Sequence, residues 1–347
     1  MEFHRKFLNT IQSLLPMQIF ICYCFVISGL IVNFVQLLTC IFIWPFSKQI
    51  YRRINYHLGT LLWSQLTFLY SWWSDSNVTV YVDPQDLKHL QHEYSIILVN
   101  HRYEIDWLLG LVVAQELGIL GGLKIVGKRS LSLIPILGWS WFFSESIFLR
   151  RIWESDKKVL EHDIRQLLNG YPDNYYFSVL MACEGTRFTE PKRLESMKYA
   201  REKNLPELKY HILPRTRGRV PTSQIPYEDD ATCGEWIHKL FQEKDRIYDH
   251  FVQHDNFDGL GVPEVPVVRN YSDLLIEIFW IVTIGIPSLV WFGKFIFHST
   301  LFGKIIFALI ILMIYVIVQL MINMSVIRSD VKHLLAKVFP HLSVDML

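Results

Sequence analysis

Residues 95–107 read Ser-Ile-Ile-Leu-Val-Asn-His-Arg-Tyr-Glu-Ile-Asp-Trp, a stretch that predicts a buried strand running into a helix. The apolar run 95–99 is typical of a strand, and residues 104–116 have the pattern of a helix. On one regular helix, His101 and Asp106 would point roughly 140° apart. We therefore expect them to meet only if His101 lies in the turn and Asp106 in the first helical turn.

A histidine paired with a carboxylate suits proton removal from a weak acid. A neutral imidazole can take a proton from an alcohol near pH 7, and a carboxylate on its other nitrogen fixes the tautomer. Residues 138–142, Gly-Trp-Ser-Trp-Phe, fail the G-x-S-x-G pattern at their last position, so no serine elbow is indicated. The substrate's own hydroxyl is the expected nucleophile. From this pair alone, an ordinary histidine at a strand end remains an open alternative.

Charge is distributed unevenly along the 347 residues, which indicates membrane segments. No charged residue occurs from 7 to 47, which is long enough for one tilted span, since about 20 apolar residues cross a bilayer. Pro16, Asn33 and Gln36 leave a re-entrant arrangement open. A cleaved signal peptide is a poorer match, because its apolar region is only about 7–15 residues long. Residues 274–293 and 305–327 predict a membrane hairpin with Glu277 near an interface.

Between these segments the composition is that of a globular domain. Strands are predicted at 78–82, 95–99, 123–126, 146–150, 175–181 and 210–213, and a helix at 156–168, with Ser155 as its N-cap and Gly170 near its end. This alternation favours an α/β domain with a largely parallel sheet, whose ligands bind at the carboxyl ends of the strands. The aromatic stretch 56–73 suits either a helix at the membrane surface or a core helix.

Basic residues recur at the predicted strand ends, which indicates a pocket for anions despite a formal net charge of +1. A solvated surface is the usual alternative, and balanced charge argues against nucleic acid. The five cysteines are too scattered for a disulfide framework or a zinc site, so we expect a reducing compartment. The basic residues are Lys124, Lys128, Arg129, Arg150, Arg151, Arg187, Lys192, Arg193, Arg215, Arg217 and Arg219.

Three further motifs follow predicted strands. In Glu184-Gly-Thr-Arg187, the glycine allows close approach of backbone to a ligand, and Arg187 offers the planar donor fork that suits phosphate. Residues 148–151, Phe-Leu-Arg-Arg, and residues 213–215, Leu-Pro-Arg, also place guanidinium groups at strand ends. Each motif alone is compatible with a surface turn.

Together and in this order, these four blocks resemble those of the glycerolipid acyltransferases, in particular the 1-acylglycerol-3-phosphate acyltransferases of the gamma/delta type. The resemblance covers most of residues 20–260, including Trp44-Pro-Phe-Ser-Lys48 and Trp236-Ile-His-Lys-Leu240. It implies a mixed sheet flanked by helices, N-terminal membrane helices at 1–75, an acyltransferase domain at 76–260, and a C-terminal transmembrane hairpin and tail at 261–347.

The resemblance also implies a reaction: direct acyl transfer from acyl-CoA to the sn-2 hydroxyl of lysophosphatidic acid, giving phosphatidic acid. His101 would be the general base and Asp106 its orienting partner. Acyl-CoA would be a co-substrate, with no resident cofactor and no metal. The enzyme would lie in the endoplasmic-reticulum membrane with its catalytic domain in the cytosol. Residues implied in substrate binding are Glu184, Gly185, Thr186 and Arg187, then Arg151, Pro214 and the less secure Arg150 and Lys128.

Alternative functions remain open from the sequence. The acceptor could be another lysophospholipid, or the chain could be an impaired short form acting as a non-enzymatic membrane protein. The 13 histidines bring to mind a di-iron desaturase, but only His89-x-x-His92 resembles a histidine box.

The linker 219–234 departs from the family pattern and generates a prediction. In gamma/delta-type relatives the block matching residues 213–218 is followed by a long segment with further apolar strands, whereas this linker contains two prolines and an acidic run. Loss of those strands would uncover a strand edge and apolar surface beside Pro214. We expect weakened stability and low or absent acyltransferase activity.

Assays of turnover and thermal unfolding, with a relative that carries the full segment measured in parallel, check this expectation. Equal activity and equally cooperative unfolding of the two chains would show that the segment is dispensable.

Overall fold

The computed structural model describes residues 14–83, 89, 91–103, 106–150, 152–214, 230–261, 263–266, 269–309 and 312. The chain divides into two compact units, Met1–Gly285 and Ile286–Leu347. The first unit contains helices α1 (Leu15–Phe42), α2 (Lys48–Phe68), α3 (Asp106–Glu116), α4 (Leu137–Phe143), α5 (Trp153–Leu168), α6 (Glu190–Glu202), α7 (Asp230–His254) and α8 (Tyr271–Trp280). Its strands are β1 (Thr79–Tyr81), β2 (Ser95–Leu98), β3 (Leu123–Lys128), β4 (Ile147–Leu149), β5 (Ser178–Met181) and β6 (Glu264–Pro266).

A four-stranded sheet in the order β2-β5-β3-β4 forms the centre of the first unit, and all its pairings are parallel. On β5, Val179 packs in an apolar cluster with residues of α5, whereas Leu180 packs in another with residues of α2 and α3. Both faces of the sheet are therefore covered, which explains the continuous apolar runs of its strands. The α/β class and the strands predicted near 95–99, 123–126, 146–150 and 175–181 are confirmed.

The strand predicted at 78–82 is confirmed, whereas the strand predicted at 210–213 was wrong. β1, within the predicted 78–82, pairs antiparallel with β6 in a separate two-stranded sheet. No strand forms at 210–213, because side chains bind its amides: Tyr210 N–H donates to Asp245 and Leu213 N–H donates to Ser196. Among the described residues the central sheet is parallel, and the antiparallel pair lies outside it.

The start of α5 was also predicted too late. The helix begins at Trp153 with Ile152 at the N-cap, and the Ser155 hydroxyl donates to the Ile152 carbonyl within the first turn. Asp156 instead accepts the Arg150 N–H at 2.8 Å, which ties the first turn of α5 to the end of β4. The predicted stop is confirmed, because Gly170 follows the helix with φ of +73°, a conformation that favours glycine.

Two described helical stretches, Leu15–Phe42 and Tyr271–His298, are long and apolar enough to cross a membrane, which indicates membrane association. In α1 the polar residues face the protein: Gln36 donates to Asn55 of α2 at 3.0 Å, and Ser28 donates to Gln65 at 2.9 Å. Such interhelical hydrogen bonds satisfy polar groups that lipid cannot. They account for the polar residues within the apolar segment.

An ion pair ties α2 to the rest of the first unit. Arg52 is buried and binds both carboxylate oxygens of Glu145, at 2.6 and 2.9 Å, just before β4. A bidentate pair of this kind fixes orientation as well as distance. The position of α2 beside the sheet is therefore set by polar contacts as well as by apolar packing.

The aromatic stretch 56–73 belongs largely to the core. Leu62, Trp63 and Leu66 are buried, and Trp63 stacks on Trp141 of α4 with ring centroids 5.5 Å apart. The helix then continues as a π-helical turn, Leu69–Trp73, whose two tryptophans are partly exposed. Of the two predicted environments, the core helix is confirmed for the face around Trp63.

Glu277, predicted near a membrane interface, lies in α8 with its side chain buried. α8 packs against α2, where the Trp280 indole N–H donates to the Leu61 carbonyl at 3.1 Å and the Thr67 hydroxyl donates to Asp273 at 2.8 Å.

The second unit contains α9 (Ile286–His298), followed by helical residues 301–309. Phe292 and Phe307 lie with ring centroids 5.9 Å apart, so the two helical stretches pack together. Most of the predicted membrane segment 305–327 lies outside the described residues.

Candidate active site

The predicted pair meets in the turn between β2 and α3. The Nδ1–H of His101 donates to Oδ2 of Asp106 at 3.1 Å, and the His101 side chain retains 38% of its surface exposed. The same carboxylate oxygen accepts the backbone N–H of Arg102 at 2.6 Å and of Tyr103 at 2.8 Å. Asp106 also lies in the first turn of α3, where the helix dipole favours a negative charge. The second ring nitrogen of His101 is thereby left as a proton acceptor.

The loop that carries Glu184-Gly-Thr-Arg187 lies directly against this turn. β5, which precedes it, neighbours β2 in the sheet, so both loops leave the same edge. Glu184 accepts the His101 backbone N–H at 3.4 Å, and the Phe188 N–H donates to the His101 carbonyl at 2.6 Å. The main chain of His101 is therefore held on both sides by residues 184–188.

The side chain of Glu184 is buried and contacts the His101 main chain. Burial raises the pKa of Glu184 to about 7, although the His101 N–H and the nearby Lys244 ammonium act in the opposite direction. Burial in turn lowers the pKa of Lys244, while Glu184 partly offsets that effect. The two groups stabilise each other's charge inside the protein, next to the main chain of His101.

Gly185 has φ of +66°, the left-handed region that glycine adopts without strain, and its N–H donates to the Ala182 carbonyl at 3.1 Å. Lys192, in the first turn of α6, donates to the Thr186 hydroxyl and to the Arg187 carbonyl at 3.2 Å. This lysine fixes the shape of the loop, and Arg187 itself is partly exposed. Lys192 was not among the residues that the resemblance implied in substrate binding.

Two of the other predicted residues, Lys128 and Arg150, lie at the same edge of the sheet but on other strands. Lys128 ends β3 and Arg150 follows β4, and both are exposed. These strands lie one and two positions beyond β5, away from the strand of His101. Pro214 is buried and Arg151 lies outside the described residues.

Sequence reasoning missed several residues that the fold brings to the site. The Arg102 guanidinium lies over the rings of Phe188 and Tyr248, 5.0 and 4.9 Å from their centroids. Lys244 of α7 donates to the Leu98 carbonyl at 3.0 Å, at the end of β2. His211 contacts Asn100 at 2.8 Å. α7 begins more than 120 residues after the His101 motif, and no local pattern signals these contacts.

An exposed imidazole nitrogen, backed by a carboxylate, can take a proton from a hydroxyl group. No group of histidine, cysteine and acidic side chains in the described part of the chain could hold a metal ion.

Comparisons with known proteins identify the family of the chain. A family model described as "Acyltransferase" matches residues 82–216, and one described as "Acyltransferase C-terminus" matches residues 208–280. The first match contains the His101, Glu184 and Pro214 loops, and the second contains His211, α7 and α8. No solved structure matches the chain.

Curated relatives match over most of their length. The 1-acyl-sn-glycerol-3-phosphate acyltransferase delta of Homo sapiens is 37% identical over 307 residues, which cover 75% of this chain and 79% of the relative. The gamma protein of Mus musculus is 37% identical over 283 residues, 68% of this chain and 74% of the relative. Since 75% of 347 residues is about 260, this chain fills about 260 of the 307 aligned positions. With relatives this similar over two thirds or more of their length, the chain belongs to the acyltransferase family that includes the 1-acyl-sn-glycerol-3-phosphate acyltransferases.

Proposed function

We propose that this protein transfers an acyl group from acyl-CoA to the sn-2 hydroxyl of 1-acyl-sn-glycerol-3-phosphate, giving phosphatidic acid and CoA. The observation that carries the proposal is the His101–Asp106 pair: the carboxylate binds one imidazole nitrogen, the side chain is 38% exposed, and the motif contains no protein nucleophile. The delta and gamma relatives supply the substrate class, because their names specify the acceptor. Acyl-CoA acts as a co-substrate, and the reaction needs no resident cofactor or metal.

The reaction is a direct transfer. The Nε2 atom of His101 removes the proton of the acceptor hydroxyl as its oxygen attacks the thioester carbonyl carbon. The C–S bond then breaks, CoA leaves as a thiolate, and the imidazolium returns the proton to sulfur. Asp106 stabilises the imidazolium and fixes the tautomer, as a carboxylate does in hydrolase triads.

The acceptor phosphate binds beside this pair. Arg187 supplies a planar fork of donors for phosphate oxygens, while the turn at Gly185 and Thr186 lets backbone approach the ligand. Glu184 supports the loop through the His101 N–H. Arg102 adds a positive charge next to the base. Arg151, Arg150, Lys128 and Pro214 extend the anionic and acyl-CoA side of the site.

The enzyme acts at the endoplasmic-reticulum membrane with its catalytic domain in the cytosol. The two apolar helical stretches and the two acyl-bearing substrates support a site beside a bilayer.

His101→Ala should lower kcat by about 10²–10⁴, the usual size of a general-base contribution, and Asp106→Asn by somewhat less. Folding should change little, because the His101 side chain is partly exposed. Transfer of labelled acyl groups from acyl-CoA to a panel of lysophospholipids measures the effect. His162→Ala, at an exposed histidine of α5, is the matched control. Full activity of the His101 variant, or a trapped acylated side chain, would contradict the mechanism.

Arg187→Lys should raise the KM for lysophosphatidate by about tenfold despite the retained charge, because a point charge cannot reproduce a bidentate fork. Steady-state kinetics at saturating acyl-CoA measure the change. Arg165→Lys, on the exposed surface of α5, should leave KM unaltered. Equal KM values for the wild-type and Arg187→Lys enzymes would mean that this side chain does not bind the phosphate.

The sequons at Asn77 and Asn270 should remain unglycosylated, because the proposed orientation places both in the cytosol. Asn77 is exposed, so an oligosaccharyltransferase could reach it in the opposite orientation. Endoglycosidase treatment of protein expressed in microsomes gives the result. As a control, an added sequon on an extended tag before α1 should be glycosylated. A glycan on Asn77 would show that the domain has the opposite orientation.

A further inference from the structure

A second histidine–carboxylate pair contacts the residue next to the base. His211 is buried, and its Nδ1 lies 2.8 Å from Oδ1 of Asp245 in α7. Its Nε2 lies 2.8 Å from the amide nitrogen of Asn100, which immediately precedes His101. Asp245 also accepts the backbone N–H groups of Lys209 at 2.8 Å and Tyr210 at 2.7 Å, so the carboxylate is fixed.

The contacts determine where the proton of His211 lies. The amide nitrogen of Asn100 can only donate, so Nε2 of His211 must accept and the proton must be on Nδ1, directed at Asp245. Burial alone would raise the pKa of Asp245, but the hydrogen bonds from His211, Lys209 and Tyr210 outweigh it and lower that pKa. An ionised Asp245 thus keeps His211 in the one tautomer that can hold Asn100.

Asn100 depends on this contact. Among the described residues, its amide oxygen is buried without a hydrogen-bond partner, and the bond to His211 is the one that its side chain makes. Two residues earlier, the Leu98 carbonyl accepts from Lys244, the neighbour of Asp245 on α7. Consecutive residues of α7 therefore fix both ends of the segment 98–100 that leads into His101.

We propose that His211, oriented by Asp245, is a positioning residue for the base: it anchors the Asn100 amide and thereby sets the place of the His101 ring at the end of β2. This inference rests on the proposed function of His101. His211 would touch neither substrate. It would act on kcat through geometry, since a displacement of about 1 Å at a reacting group can cost about 10²-fold in rate.

Two near-isosteric variants separate positioning from packing. His211→Asn keeps a donor at the Nδ1 position for Asp245 but loses the acceptor for Asn100. His211→Gln places an amide oxygen near the Nε2 position, where it can accept from Asn100. We expect His211→Asn to lower kcat by about tenfold or more with little change in KM, and His211→Gln to restore most of that loss. His162→Asn is the matched surface control.

Thermal unfolding of the same purified full-length variants provides the second readout. The His211→Asn variant retains the hydrogen bond to Asp245 that ties residues 209–211 to α7. Its unfolding temperature should therefore stay at or above that of the His211→Gln variant. A purely structural role predicts instead that kcat follows unfolding temperature across the variants. A loss of kcat in proportion to the loss of unfolding temperature, with no recovery of kcat in the His211→Gln variant, would overturn the proposal.

A double-mutant cycle tests the contact itself. Asn100→Ala and His211→Asn should each lower kcat, and the double variant should be no slower than the slower single variant, because both remove one interaction. Fully additive losses of kcat would show that the two side chains act independently and would refute the positioning of His101 by His211 through Asn100.

A further readout does not require transferase activity. In a His101→Cys background, the alkylation rate of that thiol, read by mass spectrometry of its peptide, should change at least severalfold with His211→Asn and return toward the parent rate with His211→Gln. If the wild-type chain transfers no acyl group to any acceptor, the proposed function fails while this labelling still decides the positioning role. Identical labelling rates in all three forms would overturn it.

Discussion

The carboxylate of Asp106 is the contact on which the site depends. One of its oxygens accepts the backbone N–H groups of Arg102 and Tyr103 as well as the Nδ1–H of His101. A loop of non-repetitive backbone has many conformations of similar energy, and ordering each residue costs about 1–2 kcal/mol in entropy. Three donors converging on one charged acceptor offset part of that cost and hold the His101 ring in one tautomer. The loop geometry and the tautomer of His101 therefore share a single cause.

A parallel sheet places the remaining groups around this contact. β2 and β5 are neighbours in register, with Leu98 opposite Met181, so the loops after them must leave side by side. The loop that carries Glu184 then binds the main chain of His101 through two hydrogen bonds, one at the His101 N–H and one at its carbonyl. α7 approaches the same segment with Lys244 and, through His211, with Asp245. The segment that carries His101 therefore contacts three segments that are distant in sequence: the Glu184 loop, His211 and α7.

The sequence by itself determined most of the local elements and the contact between His101 and Asp106. Apolar runs identified the four strands of the sheet, because a strand buried on both faces must be apolar throughout. The spacing of His101 and Asp106 indicated their contact, because a short turn allows few geometries for residues five apart. The same reasoning identified the strand within 78–82 but was wrong at 210–213, since a strand-like pattern does not say which partner its amides will find. For 79–81 that partner is β6, and for Tyr210 it is a side chain of α7.

Only the tertiary structure decided which distant residues contact the segment that leads into His101. His211, Lys244 and Asp245 carry no local signal, because a buried histidine or lysine in a helix-rich segment has the same sequence context whether or not it touches the site. Their role depends on the packing of α7 against the end of β2, which is a non-local outcome of burying Phe241 and Ile237 against Cys183 and Leu208. Glu184 likewise reads in sequence as part of a phosphate loop, yet its burial turns it toward the His101 N–H. Hydrophobic packing fixed these positions, and the polar contacts followed because buried donors and acceptors must find partners.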